Sequence, residues 1–245
     1  FGTFLSGFYL ISYLGNTKIL TLTSLILLAL SIFLGIMNKF LRQSKVLIFL
    51  TVLLIPLIIF VKPTKNPYLL LDTDTGYGRV RVYEDTDSKT SLPIRIMKID
   101  ASIMSNMFLD DHDLVSEGYR FFRFATFFNP EIKNALMLGG AGYSYPKDFL
   151  RNFPDSTIDV VEIDPKVTSI AKKYFNLEEN RRLNIIHKDA RVFLNTSGNK
   201  YDAIYVNVFN PSGSLPFHLT TLEAMEKMYN LLSENGVIVV NIVST

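Results

Sequence analysis

Three segments of the chain carry residues whose types and spacing could do chemistry. Leu138 to Pro146 reads LGGAGYSYP, an apolar run that breaks into a glycine turn. Twenty residues after Gly142, Glu162 closes an apolar run in VVEIDP, and Asp189 follows the next such run in HKDAR. Gly139, Gly140 and Gly142 let the backbone approach a ligand closely, and Pro146 suits the first turn of a helix behind them. A carboxylate at Glu162 can accept both hydroxyl protons of a ribose. A carboxylate at Asp189 can accept from the amino group of an adenine. The loop is not GxGxxG, and Tyr143 and Tyr145 crowd the place where a dinucleotide pyrophosphate would pack. The chemistry indicated is an adenosyl ligand without a pyrophosphate. The structural alternatives are a plain tight turn at the glycines and helix caps at Glu162 and Asp189.

These residues need a parallel sheet to bring them together. From Asn134 onward the chain alternates strand and helix. Continuous apolar runs predict strands at 135–138, 158–162, 183–187, 203–206 and 237–243, as in a sheet covered on both faces. Helices are predicted at 145–153, 166–174 and 220–232. Thr220 and Thr221 followed by Glu223 form a helix start with an acidic first turn. In a doubly wound sheet the ligand belongs at the carboxyl ends of the strands. Ahead of it, 78–84 (GRVRVYE) and 93–99 (PIRIMKI) alternate as strands of a small antiparallel sheet. Residues 114–128 predict an amphipathic helix, stopped by Asn129-Pro130.

The first sixty residues differ in kind. Ile19 to Met37 is nineteen residues without a charge, about 28 Å as a helix. Val46 to Val61 and Phe1 to Thr17 are further uncharged runs. Three transmembrane helices are therefore expected over 1–61, as the end of a longer bundle, with 62–67 as a linker. A small β-sheet domain follows over 68–110 and a Rossmann-like domain, incomplete at its carboxyl end, over 111–245. The expected setting is an inner or plasma membrane, with a lipid bilayer as partner and the catalytic part facing the cytoplasm.

Composition narrows the classes. The 245 residues carry a net charge of +2 and are 48% hydrophobic, with a mean hydropathy of +0.22. So small a charge argues against nucleic acid as a partner. The absence of cysteine excludes disulfides, zinc-thiolate sites and cysteine nucleophiles. His112, His187 and His218 show no metal spacing, so no metal is expected. The phenylalanines at 121, 122, 124, 127 and 128 suit a core or a homodimer contact.

Taken together, LGGAGYSYP, VVEIDP, HKDARVFL, YDAIYVNVF and SLPFHLTT resemble the spermidine/spermine synthase family, and most closely its branch fused behind several membrane helices. The resemblance covers residues 68–245. It implies a sheet of the S-adenosylmethionine-dependent methyltransferase type. The implied ligand is S-adenosylmethionine or its decarboxylated form. Glu162 would hold the ribose, Asp189 and Ala190 the adenine edge, and Gly139 and Gly140 the methionyl side. Tyr77 matches a tyrosine near the reacting sulfonium, and Tyr119 one on the helix that closes the site.

The sequence departs from the family where the chemistry is done. The family uses an aspartate after the fourth strand to take a proton from the amine nucleophile; here Asn207 stands in its place. Asn210 stands near a second acidic position, and Tyr119 is followed by Arg120 and Phe121 rather than a histidine-glutamate pair. Arg120 and Arg123 would suit the carboxylate of intact S-adenosylmethionine. That molecule can cyclise, its own carboxylate expelling methylthioadenosine to leave homoserine lactone. This reaction needs orientation and desolvation but no base. The expected activity is therefore cleavage of the sulfonium bond with release of methylthioadenosine, by cyclisation or elimination. The alternatives are aminopropyl transfer to putrescine, a non-catalytic membrane sensor of the adenosyl ligand, and a methyltransferase.

Overall fold

The computed structural model describes residues 11–37, 66–111, 113–210 and 213–242. The chain divides into two compact units, Phe1–Pro67 and Tyr68–Thr245. In the first, one helix is described, α1 (Ile11–Met37). Among the described residues no helix is long and apolar enough to cross a membrane. This overturns the membrane localisation expected from the sequence. Residues 1–10 and the whole run from 46 to 61 lie outside the described residues.

The second unit holds two sheets. Strands β1 (Leu69–Asp74), β2 (Arg79–Thr86), β3 (Pro93–Ile99) and β4 (Ser102–Phe108) form an antiparallel meander in that order. Alternation separates the two faces: Val80 and Val82 of β2 share the core face with Met97 of β3, while Ile94 and Ile96 of β3 are buried on the other face with Phe108. Strands β1 and β4 were missed because LLLDTD and SIMSNMF lack that alternation.

The helix expected over 114–128 is broken into α2 (Glu117–Phe121), a 3-10 turn at Phe122–Phe124 and α3 (Ala125–Phe128). Only Tyr119, Phe122 and Ala125 are buried along it. Their spacing of three residues is the 3-10 period rather than a long α-helical stripe.

Strands β5 (Asn134–Leu138), β6 (Thr157–Glu162), β7 (Leu183–His187), β8 (Tyr201–Val206) and β9 (Leu232–Val240) form a parallel sheet ordered β7-β6-β5-β8-β9. The helices between them are α4 (Ser144–Asn152), α5 (Pro165–Tyr174), α6 (Ala190–Thr196) and α7 (Leu222–Asn230). Chain order reverses direction across the sheet at β5, next to β8, which opens a crevice at the carboxyl ends. Helix α6 was not expected, because DARVFLNT is too short for a periodic signal. Its cap was legible: the Asp189 carboxylate accepts from the Val192 N–H at 3.0 Å. Asp164 caps α5 in the same way, with Pro165 at the first helical position, and Thr221 caps α7.

One side chain of α4 is packed against its chemical preference. Lys147 lies deep, its ammonium donating to the Phe175 carbonyl and touching the Met107 sulfur at 3.7 Å. Burial holds its pKa at about 8, below the ordinary 10.5. Between those values the unfolded chain binds a proton that the folded chain does not, so stability climbs as pH rises through that window. At pH 7 both states are protonated and the full desolvation cost is present. Lys147→Met is expected to raise unfolding free energy at pH 7 by about 1–2 kcal/mol: about 3 from relieved desolvation, less about 1 for the lost bond. The gain should vanish by about pH 10.5, as urea unfolding at the two pH values will test.

Candidate functional site

Four neighbouring strand ends open on one cleft of about 230 Å³, lined among others by Tyr77, Ile99, Met104, Gly139, Ala141, Glu162, Asp164, Asp189, Ala190, Asn207 and His218. The order across the sheet is Asp189 after β7, Glu162 on β6, Gly139 after β5 and Asn207 after β8. The small sheet supplies Tyr77 from the β1–β2 turn, Ile99 from β3 and Met104 from β4.

The glycine turn is tied to the β6 end. The Gly139 N–H donates to the Val161 carbonyl at 2.8 Å. Glu162, only 7% exposed, accepts from the Gly140 and Ala141 N–H groups on Oε2 and from the Asp164 N–H on Oε1, each at 3.0 Å. A carboxylate oxygen carries two lone pairs, so Oε2 is filled by the turn and Oε1 still has one for a ligand hydroxyl.

Gly139 has φ +90, and a Cβ on it would lie 2.3 Å from the Asn207 carbonyl oxygen. Both the dihedral and the backbone contact exclude a side chain. Gly139→Ala is therefore expected to cost more than about 2 kcal/mol and to disorganise β5 and β8 ends together, read as a fall in urea midpoint and loss of nucleoside binding. Gly140 and Gly142 belong to the same turn but do not line the cleft. A Cβ on Gly142 would lie 2.6 Å from the Ser105 hydroxyl.

Tyr143 and Tyr145 do not crowd the cleft. Tyr143, in the left-handed region at φ 54, is fully buried with its hydroxyl 2.8 Å from that of Thr168. Tyr145 is packed edge-on against Phe122 and Tyr205. The loop's aromatic residues serve the core, which leaves its backbone facing the ligand side.

At the β8 end a chain of amides runs behind the cleft wall. Asn241 Nδ2 donates to Asn207 Oδ1 at 2.9 Å, Asn207 Nδ2 donates to the Tyr119 hydroxyl at 3.4 Å, and that hydroxyl donates to the Met104 carbonyl at 2.8 Å. Burial pushes the Tyr119 phenol above its ordinary pKa, so it is a neutral donor near pH 7. Tyr119 stands behind Asn207 rather than on the cleft surface.

Two of the expected substrate residues lie elsewhere. Arg120 donates to the Leu114 carbonyl at 3.0 Å and pairs with Asp113 at 2.9 Å. Its neighbour Arg123 holds the buried Asp148 at 2.7 Å and Asp113 at 2.9 Å. Asn210 closes its own loop, donating to the Ser214 hydroxyl at 2.8 Å and accepting from the Ser214 N–H at 3.1 Å. Neither Arg120 nor Asn210 lines the cleft. Sequence reasoning missed Ile99, Met104, Asp164 and Asn241. Asp164 and Asn241 shared the signal that found the others, a polar residue just past an apolar strand. Ile99 and Met104 had none, since they reach the cleft only through the pairing of the small sheet. Among the described residues no group of three or more His, Asp or Glu is placed to hold a metal.

The family model described as the spermine/spermidine synthase domain matches residues 121–243. The chain is 38% identical over 121 residues to the polyamine aminopropyltransferase of Vibrio vulnificus, covering 48% of this chain and 40% of that protein. It is 36% identical over 116 residues to the enzyme of that name from Clostridium botulinum, covering 45% and 40%. The matches thus span about 40% of the length of these curated relatives. Among solved structures, a probable spermidine synthase from Corynebacterium glutamicum superposes with a TM-score of 0.58 at 20% identity, over 73% of this chain and 64% of that one, a likeness of fold.

Proposed function

The chain belongs to the spermine/spermidine synthase family, and on that premise we propose that its cleft binds decarboxylated S-adenosylmethionine and transfers the aminopropyl group to an amine. Putrescine is the acceptor of first choice. The observation that carries the proposal is Glu162, buried at the end of β6 and organised by three backbone N–H groups, with Asp189 on the next strand end. That pair suits a ribose and an adenine, and Tyr77, Met104 and Asn207 then surround the 5′ side of the nucleoside.

In the transfer, the amine nitrogen attacks the sulfonium-bound carbon of the aminopropyl arm. The C–S bond breaks and its electron pair returns to sulfur, releasing methylthioadenosine. The nitrogen loses a proton before or during attack. Asn207 cannot take it, so this site orients the reactants and leaves deprotonation to the solvent. Cyclisation of intact S-adenosylmethionine has less support. Arg120 and Arg123, which would hold its carboxylate, are engaged by Asp113 and Asp148, and the relatives are named for aminopropyl transfer.

The test offers intact and decarboxylated S-adenosylmethionine separately, with and without putrescine, and identifies products by mass spectrometry. Methylthioadenosine formed only from the decarboxylated donor, and only with amine present, is the expected result. Homoserine lactone from the intact form alone would overturn it.

A further inference from the structure

The cleft divides into two halves of opposite electrostatic character. All the carboxylates that line it, Glu162, Asp164 and Asp189, belong to the β6 and β7 ends. The half formed by β5, β8 and the small sheet presents Gly139, Ala141, Asn207, Met104, Ile99 and Tyr77, none with a formal charge. The cations that could have reached it are held elsewhere: Arg120 by Asp113 and the Leu114 carbonyl, Arg123 by Asp148 and Asp113. Lys188 lies at the opposite, β7 end. Asn207, the one amide of this half, is already engaged with the groups behind it. Asn207 Oδ1 is taken by Asn241 and the Tyr119 hydroxyl by the Met104 carbonyl.

If Glu162 and Asp189 hold the adenosine, its 5′ substituent lies in this uncharged half. Among the described residues, an ammonium there leaves water and meets no carboxylate, and a carboxylate meets no cation. Either charge loses hydration without replacement. A thioether loses nothing of the kind and packs against Met104 and Ile99, a polarisable and an aliphatic wall.

We propose that the cleft selects uncharged 5′-alkylthioadenosines over adenosyl ligands with a charged tail, so that the neutral product of transfer is held more tightly than its donor. The inference rests on the reading of the cleft as an adenosyl site.

The test is calorimetric titration of the whole chain at pH 7.5 with methylthioadenosine, decarboxylated S-adenosylmethionine and S-adenosylhomocysteine. The last is neutral at sulfur and zwitterionic in its tail, which separates the tail's charge from the sulfur's. Methylthioadenosine is expected to bind at least ten-fold more tightly than either of the others. Asn207→Asp, which places an anion in the uncharged half, should move the ratio toward the decarboxylated donor by ten-fold or more. Equal or tighter binding of the decarboxylated donor by the natural chain would overturn the selectivity and leave the adenosyl reading intact. Binding of none of the three would overturn that reading, and the selectivity with it.

Discussion

Asn207→Asp is expected to raise amine-dependent turnover at pH 7 by about two to three orders of magnitude, within the range a positioned general base contributes. The reason is the state of the nucleophile. An alkylamine with a pKa near 10.4 is unprotonated in about one molecule in 2,500 at pH 7. A site that binds only that fraction turns over slowly, and its rate climbs about ten-fold per pH step until the amine itself titrates. A carboxylate at 207 binds the abundant ammonium form and takes its proton within the complex.

The surroundings are already arranged to hold that carboxylate. Asn241 Nδ2, now 2.9 Å from the amide oxygen, would donate to it, and the Tyr119 hydroxyl at 3.4 Å could turn to it from the Met104 carbonyl. The site is only 7% exposed, so the charge should lower the melting temperature even as it raises the rate. The discriminating measurement is the pH–rate profile of both proteins at saturating donor. A steep rise in the natural chain and a flat profile in the variant support the argument. A flat profile in the natural chain would show that another group already removes the proton.

Much of the parallel sheet was legible because burial on both faces leaves continuous apolar runs that punctuation cuts cleanly. ALM, DVVE and AIYV each end at a polar or glycine residue that lies on the cleft. Glu162 and Asp189 were readable for the same reason, since a strand end followed by a cap puts a carboxylate at a fixed place. The site's other wall was not readable. Met104 and Ile99 become cleft residues only through the pairing of β3 with β4, where Lys98 opposes Ile103 across a register shift, and no local pattern records that. The pairing of Arg120 was unreadable for a related reason. A basic residue beside a cleft-closing helix reads as a ligand contact until its partner is known, and Asp113, seven residues earlier, holds it. The membrane setting was inferred from uncharged length alone, and the described residues supply no helix that meets the requirement.

Glu162→Gln is expected to weaken methylthioadenosine binding by at least 100-fold and to lower stability as well, and the two losses have separable causes. The natural carboxylate offers acceptors on both oxygens: two N–H groups of the glycine turn on one, the Asp164 N–H on the other, all at 3.0 Å. An amide offers one acceptor. Its nitrogen must face either the turn or Asp164, donor against donor, and each buried N–H left without an acceptor costs about 1–3 kcal/mol. The turn that shapes the cleft then loosens. Separately, an amide nitrogen at the Oε1 position removes the one free acceptor left for the ribose. Comparing binding at a temperature where circular dichroism shows both proteins fully folded isolates the second cause. If affinity still falls 100-fold there, Glu162 contacts the ligand. If affinity recovers while the melting temperature stays low, the carboxylate only staples the turn. The adenosyl reading would then lose its anchor on β6, leaving Asp164 and Asp189, which already cap α5 and α6, as the remaining carboxylates on the cleft.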